Sequence, residues 1–303
     1  GVDTASYEGT AGNVVVNLTE RTATGAAGDD RLVSIANVIG GDGNDRITGT
    51  ANANMLAGGA GGDSLAGGDG KDTLFGDQGG DVLIGGAGDD VLNGGGGSDW
   101  ASYQDTAAFV LVNLAAGTVS GGAGVDALVG IENALGGAGD DIVIGGGGNN
   151  KLAGGAGDDV LLGGGGNDSF IGGDGDDVLV ASAGADRFRY NAVADGDQVA
   201  TDATSRQTGD LVSGFSSAED VFQFATAAFG GAPGPLGPAK FATIAVAYDG
   251  TNSGLSGDNV YVFDANPAGG GTLYYDADTL DPGYTVVATL DSGTVTAADI
   301  VLV

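Results

Sequence analysis

Several residue types are missing from this 303-residue chain, or nearly so, and each gap closes off a chemistry. There is no cysteine, hence no disulfide, thiol nucleophile or thiolate metal site. There is no histidine, hence no Ser-His relay and no imidazole-bound zinc. Lys and Arg total 9 against 41 Asp and Glu, a formal net charge of −32. A chain so acidic repels nucleic acid and anionic headgroups and attracts hard cations. No apolar run approaches the ~20 residues of a membrane span. No basic-then-apolar leader opens the chain.

Glycine is what the chain has in excess, with 64 residues, roughly three times the usual share. Its placement is periodic. From Gly40 the chain reads GGDGNDRIT, GTANANMLA, GGAGGDSLA, GGDGKDTLF, GDQGGDVLI, GGAGDDVLN and GGGGSDWAS without a gap. From Gly136 it reads GGAGDDIVI, GGGGNNKLA, GGAGDDVLL, GGGGNDSFI, GGDGDDVLV and ASAGADRFR. Isolated copies stand at Gly25 and Gly121, and thirteen of the fifteen units carry Asp at the sixth place. A longer repeat overlies these, at a constant offset of 96: DTASYEGTAGNVVVNL from Asp3 faces DWASYQDTAAFVLVNL from Asp99. Gly1-Val2-Asp3 matches Gly97-Ser98-Asp99 and reads as the end of such a turn, so the chain is expected to be the C-terminal piece of a longer protein.

After Tyr190 the period stops, and all five Pro fall between Pro233 and Pro282. Strand-like runs appear instead at 220–224, 260–263, 272–275 and 285–290. The expected architecture is all-β: a GGxGxDxUx solenoid in two arrays, followed by a non-repetitive C-terminal β domain that closes its open end. The segments are 1–39, a flanking β unit with a strand near 14–18; 40–102, the first array; 103–135, the duplicated unit with a strand near 110–114; 136–190, the second array; and 191–303, the C-terminal β domain.

Each unit divides into a turn of six residues and a strand of three. Glycine at the first, second and fourth places admits left-handed or otherwise forbidden dihedrals. Such a turn aims carbonyl oxygens at one point, and the Asp adds charge, a donor set for calcium rather than zinc or copper. In the strand the eighth residue points inward, which puts Ile47, Leu56, Leu65, Leu74, Leu83, Leu92 and Ala101, then Val143, Leu152, Leu161, Phe170, Leu179 and Phe188, in the core. Two nonapeptides per coil stack the turns every 18 residues. A cation between each turn and the second one after it gives nine internal sites, with weaker ones expected at the Asn54 and Asn150 rungs.

Over residues 1–190 these units resemble the RTX (repeats-in-toxin) family, whose nonapeptide is a calcium-binding β-helix signature. The resemblance implies a right-handed parallel β-roll holding multiple calcium ions, about nine or more, on the sixth-place Asp and on turn carbonyls. The implied ligands in the first array are Gly41, Gly43, Asp45, Gly59, Gly61, Asp63, Gly68, Gly70, Asp72, Gly79, Asp81, Gly86, Gly88, Asp90, Gly95, Gly97 and Asp99. In the second they are Gly137, Gly139, Asp141, Gly155, Gly157, Asp159, Gly164, Gly166, Asp168, Gly173, Gly175, Asp177, Gly184 and Asp186. The unit GTANANMLA departs from the pattern at Thr50, Asn52 and Asn54.

The tail segments LVSGFSSAEDVFQF, TLYYDADT and ADIVLV are similar to the C-termini of RTX proteins that leave the cell by type I secretion with an uncleaved signal. This implies a type I exporter as partner and a secreted or bacterial cell-surface location. Two functions stay open. One is a calcium-dependent structural and secretion module of a surface, S-layer or adhesin-type protein. The other is the C-terminal tail of a secreted enzyme such as a serralysin-like protease, a lipase or an alginate epimerase. No catalytic residue is expected: Asp197, Asp202, Asp210, Glu219 and Asp220 read more simply as loop carboxylates or one extra calcium site, and Trp100 as an outward packed residue. An outward apolar stripe runs through Ile142, Ile144, Val160, Leu162, Val178 and Val180. Either the C-terminal segment covers it or it is a face for self-association or an upstream domain.

Overall fold

A strand of three residues buries one side chain, so each nonapeptide depends on the rungs above and below it. In the computed structural model those rungs lie 18 residues apart in parallel register. Met55–Ala60 pairs with Thr73–Gly79, Leu56 opposite Leu74; Ser64–Asp69 pairs with Val82–Ala87, Leu65 opposite Leu83. Successive strands alternate between two sheets, and two nonapeptides complete one coil of a parallel β-roll. The structure describes residues 2–190 and, beyond them, 199–200, 210–213, 215, 220–224, 234–235, 241–244, 258–265, 271–278, 284–290, 295–296 and 299–302.

The chain divides into two compact units, Gly1–Gly139 and Asp140–Val303. In the first, one sheet stacks Asp3–Ser6, Ile35–Ile39, Met55–Ala60, Thr73–Gly79, Val91–Gly97 and Gly124–Val129. The other stacks Val14–Asn17, Arg46–Thr50, Ser64–Asp69, Val82–Ala87, Trp100–Ser102 and Asn133–Leu135. Val14–Asn17 also turns back antiparallel through Thr22–Gly25 to Asp30–Arg31. Its duplicate makes the same turn through Val110–Asn113, Thr118–Gly121 and Gly124–Val129.

In the second unit one sheet stacks Ile142–Ile144, Val160–Leu162, Val178–Val180, Asp210–Ser213 and Tyr284–Leu290 in parallel. The other stacks Lys151–Ala156, Ser169–Asp174, Arg187–Tyr190, Val221–Phe224 and Ile300–Leu302. The segment past Tyr190 has no nonapeptide, yet its strands prolong both sheets of the array by two rungs. Asp258–Ala265, Gly271–Asp278 and Tyr284–Leu290 pair antiparallel in sequence. Of the outward stripe, Ile142, Ile144, Val160, Leu162, Val178 and Val180 are all half-buried.

Every eighth-place residue from Ile47 to Phe188 is buried, so the alternation in each short strand does set the core. Toward the C-terminal end the column turns aromatic: Phe170 stacks on Phe188 at 5.2 Å, Phe188 lies 5.4 Å from Phe222, and Phe224 lies 4.9 Å from Tyr261. Aromatic rings bury more apolar surface per residue than leucine, and they gather where the repeats, with their carboxylate-lined turns, give out.

Candidate metal centre

The sixth-place side chains, although charged, are as buried as the core: Asp45, Asp63, Asp72, Asp81, Asp90, Asp99, Asp141, Asp159, Asp168, Asp177 and Asp186 are all at most 2% exposed. One oxygen of each carboxylate replaces a backbone acceptor between rungs. The N–H of Asp45 donates to Asp63 Oδ1 (2.6 Å), that of Asp63 to Asp81 (2.7 Å) and that of Asp81 to Asp99 (2.8 Å). On the other edge Asn54 donates to Asp72 (2.7 Å) and Asp72 to Asp90 (2.8 Å). The second array repeats the ladder, Asp141 to Asp159 to Asp177 and Asn150 to Asp168 to Asp186.

The second oxygen distinguishes two kinds of turn. In the leading turns it is satisfied by the protein. Asp45 Oδ2 accepts the Gly41 N–H at 2.6 Å, Asn54 Oδ1 accepts the Thr50 N–H at 2.7 Å, and Asn150 Oδ1 accepts the Gly146 N–H at 2.7 Å. In the turns stacked after them the second-place residue is left-handed, as at Gly59 (φ 107°), Gly68 (107°), Asp77 (72°), Gly86 (98°), Gly95 (95°), Gly155 (123°) and Gly164 (90°). The peptide is rotated there and the N–H no longer reaches the carboxylate. Oδ2 of Asp63, Asp72, Asp81, Asp90, Asp99, Asp159 and Asp168 is buried with no hydrogen-bond partner, and so is that of Asp186. An uncompensated buried carboxylate oxygen is costly.

The glycines follow two different constraints. In the leading turns Gly41, Gly43, Gly137, Gly139, Gly146 and Gly148 have no left-handed φ; in the turns stacked after them the second place is left-handed except at Ser182, and so is the fourth, at Gly61, Gly70, Gly79, Gly88, Gly97, Gly157, Gly166, Gly175 and Gly184. A Cβ there would also strike the carbonyl of the turn 18 residues earlier: Gly59 against Gly41, Gly61 against Gly43, Gly86 against Gly68, Gly97 against Gly79, Gly173 against Gly155, Gly175 against Gly157. First-place glycines such as Gly76, Gly85 and Gly94 have no left-handed φ. The expectation of a forbidden dihedral at that place is corrected. A side chain is excluded because Oδ2 of Asp81, Asp90 or Asp99 occupies its space.

Burial raises the carboxylate pKa values above the usual range, with Asp63 pushed up to about 7, Asp72 to about 6, Asp159 to about 8 and Asp168 to about 6; Asp81 and Asp90 also rise. The ladder N–H opposes this in each case, and neighbouring carboxylates add to it. Among the described residues no three carboxylates gather at one point. Any cation held here takes one or two carboxylates and completes its shell with turn carbonyls.

A family model for the RTX calcium-binding nonapeptide repeat matches residues 37–65, 66–101, 128–161, 135–170, 154–188 and 162–195. Residues 37–101 and 128–195 are RTX calcium-binding repeats. No curated protein matches the chain. Among solved structures it is similar to the extracellular lipase LipA from Serratia marcescens, at 19% identity and a TM-score of 0.32, over 88% of this chain and 40% of that one. The chain thus spans less than half the length of that protein.

The RTX residues fit a hard cation on two observations: the partnerless Oδ2 atoms, and the glycine cradles that a Cβ would fill. Of the implied ligands, Gly41 and Gly43 have another neighbour besides the next turn, since they also back onto Thr10, Gly12 and Asn13 of the flanking block; Gly137 and Gly139 back onto Thr106, Ala108 and Phe109. Four ladder members lie outside the arrays. Asp126 accepts the Asp90 N–H at 2.9 Å, Glu132 the Asp99 N–H at 3.0 Å and Asp220 the Asp186 N–H at 2.9 Å; Asp45 Oδ1 takes the Val14 N–H at 2.7 Å. Asp126 was legible as the sixth residue of the isolated unit at Gly121, whereas nothing in the spacing marks Glu132. In Asp126 the second oxygen accepts the Tyr103 hydroxyl at 2.9 Å, so this rung is satisfied by protein alone. Asp197, Asp202 and Glu219 lie outside the described residues. Gly85→Ala is expected to destabilise the roll by about 1–3 kcal/mol through its clash with Asp90. Gly147→Ala, with open space at Cβ, is expected to be near neutral; denaturant titration of both variants checks the contrast, and equal effects would contradict it.

Proposed function

We propose that this chain is a non-catalytic, calcium-binding β-roll module of an exported bacterial protein, folding when it meets extracellular calcium. The observation that carries this reading is the row of buried, partnerless carboxylate oxygens in stacked turns. Calcium would be held by Oδ2 of the later turn in each stacked pair and by carbonyls at second and fourth places, and would supply the positive charge that the fold itself lacks. About nine ions are proposed, one per stacked pair. A site with a Kd of about 0.1 mM gains roughly 1.4 kcal/mol at 1 mM ion. Nine together reach about 13 kcal/mol, comparable to the stability of a whole domain, and at cytosolic calcium that contribution vanishes.

Type I export is the finer part of the proposal. A chain unfolded at low calcium suits passage through a narrow exporter. The terminal segment read as its signal has a second use once folded: Asp299 is 4% exposed and Ile300 is buried opposite Phe222, as one more rung. In this proposal the chain divides into segments 1–39, 40–102, 103–135, 136–190 and 191–303 and has a structural role in a surface-layer or adhesin-type protein. The rival, a tail of a secreted enzyme, would share the same roll.

Isothermal titration calorimetry with calcium tests the site assignment: about nine ions bind, and Asp81→Asn removes or weakens, by about tenfold or more, at least one of them. Unchanged stoichiometry and affinity in that variant would overturn the assignment. The half-buried stripe through Ile142, Val160 and Val178 is proposed as the face for a second copy or a preceding domain. Val160→Asp should then change the mass measured by light scattering in calcium while leaving calcium-induced strand content intact; an unchanged mass in a chain that self-associates would refute this.

A further inference from the structure

The 96-residue duplication supplies an internal control for one edge of the roll. In the second copy the flanking block rests on the first array: Trp100–Ser102 pairs with Val82–Ala87, and Gly124–Val129 pairs with Val91–Gly97. Three bonds fasten it. The Trp100 N–H donates to the Asp81 carbonyl (2.8 Å), the Ala127 N–H to the Asp90 carbonyl (2.9 Å), and the Asp90 N–H to Asp126 Oδ1 (2.9 Å). Asp99, Ala101, Ser102, Ala123 and Asp126 are buried as a result.

The first copy has the same shape, and among the described residues Asp3–Ser6 pairs only with Ile35–Ile39 and Asp30–Arg31 only with Thr22–Gly25. Its strands keep the register of their duplicates, with Val14 opposite Gly25 as Val110 is opposite Gly121, and Thr4 opposite Asn37 as Trp100 is opposite Asn133. Gly28 and Ser34 are left-handed at φ 96° and 58°, as Gly124 and Gly130 are at 121° and 59°. Yet Asp3, Ser6, Ala27 and Asp30, the counterparts of Asp99, Ser102, Ala123 and Asp126, are exposed, and Ala5 is only half-buried. Tyr7 reaches Asp30 at 3.4 Å, a looser version of the 2.9 Å bond from Tyr103 to Asp126.

We propose that this edge, formed by Asp3–Ser6 and Asp30–Arg31, is a docking surface for another array of calcium-binding nonapeptides. The last two rungs of that array would seat on it as Val82–Ala87 and Val91–Gly97 seat on the duplicate. The partner's sixth-place N–H would meet the Asp30 carboxylate, and its carbonyls would take the N–H groups of Thr4 and Arg31, the counterparts of Trp100 and Ala127. This inference goes beyond calcium binding: the edge is argued from the duplication, and the calcium-ordered state of its partner rests on the function proposed above.

The test is hydrogen exchange by NMR on the full chain and on the same chain preceded by a copy of residues 40–96 joined to Gly1, which preserves the repeat register. In calcium, the Thr4 and Arg31 amides of the extended chain are expected to slow by about a hundredfold or more, toward the rates of Trp100 and Ala127, and Asp30→Ala should speed exchange of the sixth-place amide seated on it. Thr4 and Arg31 amides that stay fast beside a protected appended array would overturn the proposal. An appended array left unprotected while residues 40–102 are protected would overturn it equally, because the edge would then fail to order its partner.

Discussion

Everything in this fold hangs on a carboxylate asked to do two things at once. One oxygen closes the gap between rungs by accepting a backbone N–H from the turn 18 residues before it, as Asp81 does for Asp63. That use fixes the side chain inside the roll and removes it from water. The other oxygen is then committed to the interior whether or not anything meets it there, and for Asp63, Asp81 and Asp99 nothing in the protein does. The roll is therefore built on a repeated defect, which a hard cation corrects and which protein groups correct in a few places.

Those places show how the defect is controlled. Gly41, with ordinary φ, directs its N–H at Asp45, whereas left-handed Gly59 withdraws it and leaves Asp63 open; at the last turn Asp186 is open although Ser182 is not left-handed. At Asp126 a tyrosine hydroxyl does the same work. Open and closed turns thus differ by one peptide rotation or one side chain. The glycine content of the repeat follows from the open kind, partly through φ and partly through the space that the second oxygen claims. Carboxylates stacked on such turns, in a chain whose net charge is −32, make the roll costly to fold without counter-ions.

Much of this was legible because the period is short and strict. The alternation in a three-residue strand gave Leu65, Leu83 and Leu161 as core, and the sixth place gave the buried Asp or Asn of each rung in the two arrays. Two kinds of feature were hidden. The ladder is continued outside the arrays by Glu132 and Asp220, which lie 33 and 34 residues from their donors because hairpins or long excursions intervene, and no fixed spacing survives that. The continuation of both sheets into Asp210–Ser213, Val221–Phe224 and Ile300–Leu302 was hidden for the same reason. The sequence suggested a strand at 220–224 and a C-terminal β domain closing the open end of the arrays, but no strand at 210–213 or 300–302 and no rung-by-rung pairing with the repeats. The role of first-place glycine was also misassigned, since a requirement for space and a requirement for φ leave the same letter in the sequence.

In the proposed function the partnerless carboxylates make folding of the roll conditional on calcium. Far-UV circular dichroism of the intact chain, recorded from chelated conditions to millimolar calcium, tests it most directly. Little strand signal is expected without calcium, with a cooperative gain as the ion approaches about 0.1–1 mM. A strand signal already complete in the chelated chain, and unmoved by added calcium, would contradict it.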